Sequence, residues 1–145
     1  MRVGDFMNPK RRGSQYESAF VTQALKRGLD ILEPYGDYMP YDVMVQNGDG
    51  RIQRVQVKGT GARIKGKPGY KIIAASGNTG KTPLNPDEVD VLAAYVELED
   101  TWYLIPIKKL KGNVSVYLNP NTKRNGRYEV WKEAWNVFQN GGTPG

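Results

Sequence analysis

The sequence predicts a single domain of mixed α/β order, on three observations. Apolar residues at helical spacing follow the capping-box pair Ser14 and Glu17. Two β-branched runs flank the turn 47–50, Asn-Gly-Asp-Gly, which predicts a β-hairpin. Further apolar runs of strand length follow the hairpin. A chain of 145 residues can bury one core without disulfide bonds.

The predicted elements follow in chain order. Residues 1–13 carry Pro9, Gly13 and the basic cluster Lys10-Arg11-Arg12, and predict a flexible basic N-terminal arm. A helix begins at Ser14 and ends near Gly28, and a short apolar run and two turn-forming residues come next. The predicted strands are 41–46, 51–58, 70–74, 91–96, 101–105 and 114–118.

The remaining segments are short. Residues 86–89 and 107–110 each follow or contain a proline and predict short helical turns. The segment Tyr128–Phe138 predicts a terminal amphipathic helix, because Trp131, Trp135 and Phe138 share one helical face, and we expect that face to be buried. Residues 141–145 predict a disordered tail, so the domain itself spans residues 14–140.

The composition excludes several classes of catalytic site. The chain has no cysteine and no histidine, which excludes thiolate or imidazole zinc sites, Ser-His-Asp triads and nucleases that use a histidine base. A metal in this chain must be held by oxygen ligands, which favours Mg²⁺, Mn²⁺ or Ca²⁺. No signal peptide or membrane span is recognisable, so we expect a soluble, cytoplasmic protein.

The charge is unevenly distributed. The net charge is +6, and residues 51–86 contain eight basic residues and no acid, whereas residues 87–100 contain six acids and no base. The basic stretch favours a polyanionic partner, with a merely solubilising loop as the alternative. The candidate DNA contacts are Lys10, Arg11, Arg12, Arg63, Lys65, Lys67, Lys71, Lys81, Lys123 and Arg124.

Four polar side chains are expected to meet beside the hairpin. Gln56 and Lys58 are two apart on one strand, so they leave the same face, and the turn brings Asp42 opposite that region. Glu17 reaches the same edge if the first helix packs across it. Such a group can hold Mg²⁺ against a phosphodiester.

Each member of this group has an expected role. Asp42 is the principal metal ligand, Gln56 contributes its amide oxygen, Val57 its backbone carbonyl and Glu17 an auxiliary carboxylate. Lys58 orients or helps to deprotonate the attacking water. The alternative is that all of these are ordinary solvated residues at the edge of a sheet.

These residues carry a family resemblance. Glu17, Pro40-x-Asp42 and Gln56-x-Lys58 together resemble the PD-(D/E)xK nuclease core, and most closely the homing endonuclease branch encoded in group I introns, where Gln can replace an acid. The segment 102–107 also resembles that branch. The resemblance implies an α-β-β-β-α-β order with a mixed central β-sheet flanked by helices, in a single nuclease domain.

The resemblance also implies partners and a cofactor. It implies a Mg²⁺-dependent endonuclease, with Mn²⁺ able to substitute, that cuts double-stranded DNA at specific sites. Since one small domain cuts one strand, a homo-oligomer, either a dimer or a tetramer, is expected. No membrane partner and no nucleotide cofactor are expected.

Three alternatives stay open at this point. A Holliday-junction resolvase would share the core but recognise DNA shape, and a non-catalytic DNA-binding module would use the same basic residues. Residues 75–82 also satisfy a loosened phosphate-loop pattern. Two prolines within the four residues that follow disfavour the helix that such a loop needs.

Overall fold

A computed structural model of the chain describes residues 8–77, 82–123 and 126–139. Within these ranges there is one α-helix, α1 (Pro9–Lys26). The strands are β1 (Asp30–Leu32), β2 (Val43–Gln46), β3 (Ile52–Thr60), β4 (Tyr70–Ile73), β5 (Ala75–Ser76), β6 (Thr82–Pro83), β7 (Val91–Val96), β8 (Thr101–Pro106) and β9 (Ser115–Leu118). No helix in the described ranges is long and apolar enough to cross a membrane.

The central sheet has five strands in the order β1-β2-β3-β7-β8. Strands β3 and β7 run parallel, and the other neighbours are antiparallel. The predicted α/β class with a mixed central sheet is therefore confirmed, as is the hairpin of β2 and β3. Two small antiparallel pairs, β4-β9 and β5-β6, stand beside this sheet.

The order of elements between β3 and β7 differs from the expected one. The described part of this connection contains strands β4, β5 and β6 and two turns. In one turn the carbonyl of Ile64 accepts from the N–H of Lys67, and in the other the carbonyl of Asn85 accepts from the N–H groups of Glu88 and Val89. This described part contains no α-helix, so the second helix of the expected α-β-β-β-α-β order is absent from the described residues. Strand β6 ends at Pro83 and β7 begins at Val91, so only residues 84–90 lie between them, which is short for an α-helix.

Helix α1 packs through an aromatic stripe. Tyr16, Phe20 and Ala24 recur every four residues and are buried. The ring of Phe20 lies 5.6 Å from the rings of Trp102 and Trp135. Burying an aromatic side chain of this size contributes roughly 2–3 kcal/mol to folding, so this stripe anchors the helix on the sheet.

One close approach sets the position of the helix over β3. A Cβ atom added at Gly59 would lie 2.6 Å from two ring carbons of Tyr16, closer than side chains can come. The Tyr16 hydroxyl also donates to Glu97 at 2.8 Å. The absence of a side chain at Gly59 therefore lets α1 lie directly on β3, which brings the next residue, Glu17, beside that strand.

The predicted start of the first helix was wrong. The helix begins at Pro9, and the side chain of Asn8 caps it by accepting from the N–H of Arg11 at 2.9 Å. Asn at the cap followed by Pro at the first helical position is a stronger start signal than the capping box at Ser14. Residues 9–13 are thus helical rather than a flexible arm, and residues 1–7 lie outside the described residues.

The predicted C-terminal helix was also wrong. Two short 3-10 turns, Glu129–Trp131 and Trp135–Phe138, replace it, and Glu133 between them has a left-handed backbone with φ 50°. The N–H of Glu133 donates to the carbonyl of Trp102, and its carboxylate accepts from the N–H of Trp102 and the indole of Trp135. These bonds to strand β8 outweigh the helical preference of the segment.

The burial predicted for this segment is confirmed. Trp131, Trp135 and Phe138 are 6%, 7% and 0% exposed. The predicted tail, residues 141–145, lies outside the described residues.

Candidate active site

The hairpin ends unevenly, and this exposes one edge of β3. Strand β2 begins at Val43, which pairs with Val55, whereas β3 continues to Thr60. The residue before β2, Asp42, covers part of the exposed edge. Its backbone N–H donates to the carbonyl of Val55 at 2.9 Å, and its carboxylate accepts from the N–H of Val57 at 2.8 Å. The carboxylate of Asp42 is therefore fixed against the strand.

The structure brings all the residues predicted for catalysis and metal binding to one cleft. Glu17 from α1, Asp42 from the start of β2, and Gln56, Val57 and Lys58 from β3 all line it. The cleft has a volume of ≈ 730 Å³ and is open to solvent on one side, which leaves room for a phosphodiester. The convergence at one sheet edge that the sequence predicted is thus present.

The pKa values of the two carboxylates predicted for the site, Asp42 and Glu17, are both raised. Burial raises the pKa of Asp42, although the Val57 N–H and Lys58 partly offset the rise. Burial, together with the charges of Asp42 and Glu33, raises the pKa of Glu17 to about 7, and Lys58 opposes that rise. A cation placed between two such carboxylates would relieve their repulsion and restore their charge.

The oxygen donors at this edge fit a hard divalent cation. Since the N–H of Val57 points to Asp42, the carbonyl of Val57 lies on the same edge of the strand. The donors are then two carboxylates, one carbonyl and the amide oxygen of Gln56, the ligand types that Mg²⁺ and Mn²⁺ accept. No cluster of three or more acidic side chains suited to a metal occurs among the described residues, so the neutral donors are needed to complete a site.

Other residues in and around the cleft had no predicted catalytic or metal-binding role. Tyr16 lines it through its ring, Asp37 contributes a third carboxylate from the turn before β2, and Glu33 acts on Glu17 through its charge. Lys10 and Arg12, predicted only as DNA contacts, line the same cleft. Placing the helix start at Asn8 would have found Lys10, because it lies seven residues, or two turns, before Glu17.

The remaining predicted DNA contacts are spread over the surface. The guanidinium of Arg63 lies 3.6 Å from the carboxylate of Glu99 and over the ring of Tyr70. It stands at the base of a loop that is closed by a hydrogen bond from the N–H of Ile64 to the carbonyl of Gly69. Lys81 and Arg124 lie outside the described residues. The predicted contacts that are exposed on this part of the surface are Arg11, Arg63, Lys65, Lys67, Lys71 and Lys123.

The phosphate-loop alternative loses its structural basis. Ala75–Ser76 and Thr82–Pro83 pair as the antiparallel strands β5 and β6. The segment after the loop is therefore a strand, whereas a phosphate loop needs a helix whose N-terminal amides face the phosphate.

Comparisons with known proteins agree with this geometry. The family model described as PD-(D/E)XK endonuclease matches residues 7–138. The solved structure of a bacterial homing endonuclease, I-Ssp6803I, superposes with a TM-score of 0.76 at 26% sequence identity, over 92% of this chain and 94% of that one. The comparison with curated proteins gave no match. A family match over nearly the whole chain, together with this structural likeness, shows that the chain is a nuclease and belongs to the PD-(D/E)XK endonuclease family.

Proposed function

We propose that this nuclease is a divalent-metal-dependent endonuclease that hydrolyses phosphodiester bonds in double-stranded DNA at specific sites. The observation that carries the proposal is the convergence of Glu17, Asp42, Gln56 and Lys58 on one open cleft. Acidic, amide and lysine side chains in this arrangement suit phosphodiester hydrolysis, because the reaction needs an activated water and neutralised oxygens.

Each side chain then has a role. Asp42 would hold the cation with its carboxylate, which the N–H of Val57 fixes in place, and the side chain of Gln56 and the carbonyl of Val57 would be the ligands from β3. Glu17 would be the ligand from helix α1. Bound Mg²⁺ or Mn²⁺ would supply the Lewis acidity that lowers the pKa of the attacking water and neutralises charge on the phosphate.

Lys58 faces the scissile phosphate. It lies two residues from Gln56 on the same face of β3, and its charge opposes the rise in the pKa of Glu17 and of Asp42. It orients the attacking water and stabilises the developing negative charge on phosphate. Lys10 and Arg12 lie on α1 and line the same cleft, where they contact phosphates that flank the scissile one.

The proposed enzyme acts as a homo-oligomer. The described residues form one such cleft per chain, and cutting both strands of a duplex requires two clefts related by symmetry. I-Ssp6803I is a homing endonuclease, and the likeness to it supports recognition of a defined DNA sequence.

The experiment that tests the proposal is a cleavage assay on a duplex library with Mg²⁺ or with chelator, using the unaltered chain, Asp42→Asn and Lys58→Gln. Lys26→Gln, which removes a charge at the exposed end of α1, is the matched control. We expect cuts at a restricted set of sequences, no cutting with chelator, and loss of at least about a hundredfold in rate for the two cleft variants.

Three outcomes would contradict the proposal. Full activity of Asp42→Asn and Lys58→Gln would show that the cleft is not the active site. Cutting in the presence of chelator would show that cleavage does not depend on a metal. Preferential cutting of a four-way junction over every duplex would favour a resolvase instead.

A further inference from the structure

A second concentration of positive charge lies away from the catalytic cleft, where β7 begins and β8 ends. It contains a pocket of ≈ 420 Å³, here called the basic pocket, which includes Lys109, Lys111, Arg127 and Tyr128 in its lining. A neighbouring groove shares Lys109 and Lys111 with it and adds Arg51 and Lys108. None of these basic residues is among the DNA contacts predicted from the sequence.

No described residue neutralises the charge of the basic pocket. Its lining, among the residues that the structure describes, contains no acidic side chain. No ion pair between described residues engages Lys109, Lys111 or Arg127. The acid in the neighbouring groove, Asp90, is already bound by Arg54 through both carboxylate oxygens. Like charges gathered in a concave surface repel one another, so an anion seated among them is stabilised.

The backbone of Lys111 gives a second observation. It has φ 52° and ψ 39°, a left-handed conformation in which glycine or asparagine is preferred. A lysine adopts it at a cost in stability, and the turn itself needs no lysine. What lysine adds here is a positive charge in the wall of the pocket.

The hydroxyl of Tyr128 gives a third observation. Tyr128 is 5% exposed, and its hydroxyl has no hydrogen-bond partner among the described residues. A buried hydroxyl without an acceptor is unfavourable. An anion that enters the pocket can supply the acceptor once the long basic side chains turn aside.

We propose that the basic pocket binds a phosphate group of the DNA backbone, separate from the phosphate that is cleaved. The inference rests on the proposed function, since it takes DNA as the substrate. On strand β3, Val57 of the cleft lies four residues from Gln53, which lines the groove beside the basic pocket. Four strand residues span about 13 Å, so the two sites engage different phosphates of the duplex.

The test uses the full chain with Ca²⁺ in place of Mg²⁺, so that duplex DNA is bound without being cut. The dissociation constant is measured over a range of salt concentrations for the unaltered chain, Arg127→Gln, Lys111→Asn and the control Lys26→Gln. All three variants lose one positive charge, so a difference between them reports position rather than net charge. Cleavage of the duplex with Mg²⁺ is measured in parallel.

We expect Arg127→Gln and Lys111→Asn each to weaken binding several-fold at 0.1 M salt. Each should also reduce the slope of log affinity against log salt by up to about 0.9, the value for one phosphate contact. Lys26→Gln should stay within about twofold of the unaltered chain. Lys111→Asn should melt at the same or a higher temperature, because asparagine suits the backbone there, which separates lost binding from lost folding.

The contrary results are distinct. If the unaltered chain binds and cuts duplex DNA while both pocket variants keep its salt slope, the pocket proposal is overturned and the proposed function stands. If both variants weaken binding no more than Lys26→Gln does, the pocket is again excluded. If the unaltered chain neither binds nor cuts a duplex, both proposals fail together.

Discussion

The carboxylate of Asp42 accepts a hydrogen bond of 2.8 Å from the backbone N–H of Val57. This bond ties the residue before β2 to the exposed edge of β3, and strand geometry places the carbonyl of Val57 on the same edge. An acidic side chain and a backbone oxygen are thereby fixed side by side before any metal arrives.

Two substitutions at Asp42 separate its charge from its hydrogen bond. Asp42→Asn keeps an oxygen that can accept from Val57 but removes the charge, whereas Asp42→Ala removes both. We expect both to lose cleavage, and only Asp42→Ala to lose stability, by about 1–2 kcal/mol. Urea unfolding without metal measures the stability. Equal stability of the two variants would show that the bond to Val57 contributes nothing to folding.

Glu17 should make the stability of the metal-free protein depend on pH. Its pKa is raised to about 7 in the folded chain, mainly by burial and by the charge of Asp42. The folded state therefore holds this proton more tightly than the unfolded state. The stability it contributes is fully present below pH 4.5 and is lost as the pH rises through 7.

Glu17→Gln should remove most of that dependence. At pH 8, without metal, we expect the variant to be more stable than the unaltered chain by on the order of 1 kcal/mol, allowing for the partial exposure of the site. Cleavage should fall at the same time. Thermal melting at pH 5 and pH 8 measures the effect, and parallel pH curves for the two proteins would contradict it.

The close approach of α1 to β3 can be tested with two glycines. Gly59→Ala would place a Cβ atom 2.6 Å from the ring of Tyr16, and we expect a loss of roughly 2–4 kcal/mol and weakened cleavage, because the helix and Glu17 must shift. Gly13→Ala is the matched control. It lies within α1 with nothing near the added atom, and should gain about 0.5–1 kcal/mol. Equal effects of the two changes would contradict the packing described.

Gln56 should set a weak metal affinity, because its amide brings no charge to the site. Gln56→Glu adds a carboxylate at the same position on β3, and we expect Mn²⁺ to bind about tenfold more tightly. Gln56→Ala should weaken binding. Titration calorimetry with Mn²⁺ measures both, and a Gln56→Glu variant with unchanged affinity would place the ion elsewhere.

The hairpin side of the site could be predicted from the sequence. The Asn-Gly-Asp-Gly turn fixes the register of β2 and β3, and alternation then places Gln56 and Lys58 on one face. Local rules suffice here because the residues involved are close in the chain. The strands β7 and β8 were predictable for a similar reason, as continuous apolar runs.

The rest depends on contacts between distant segments. Helix α1 reaches Asp42 only because Gly59 admits the ring of Tyr16, and no local pattern reveals that approach. The C-terminal segment loses its predicted helix to the bonds between Glu133 and Trp102. The basic pocket joins Lys109 and Arg127 from separate segments, so charge clustering along the sequence did not indicate it.

The most direct test of the central claim is the position of a bound ion. Crystals soaked in Mn²⁺ and measured at its absorption edge should show an anomalous peak between the carboxylate of Asp42 and the carbonyl of Val57, with Glu17 and Gln56 beside it. A chain that cuts DNA with Mn²⁺ but shows no peak at this edge of β3 would contradict the account.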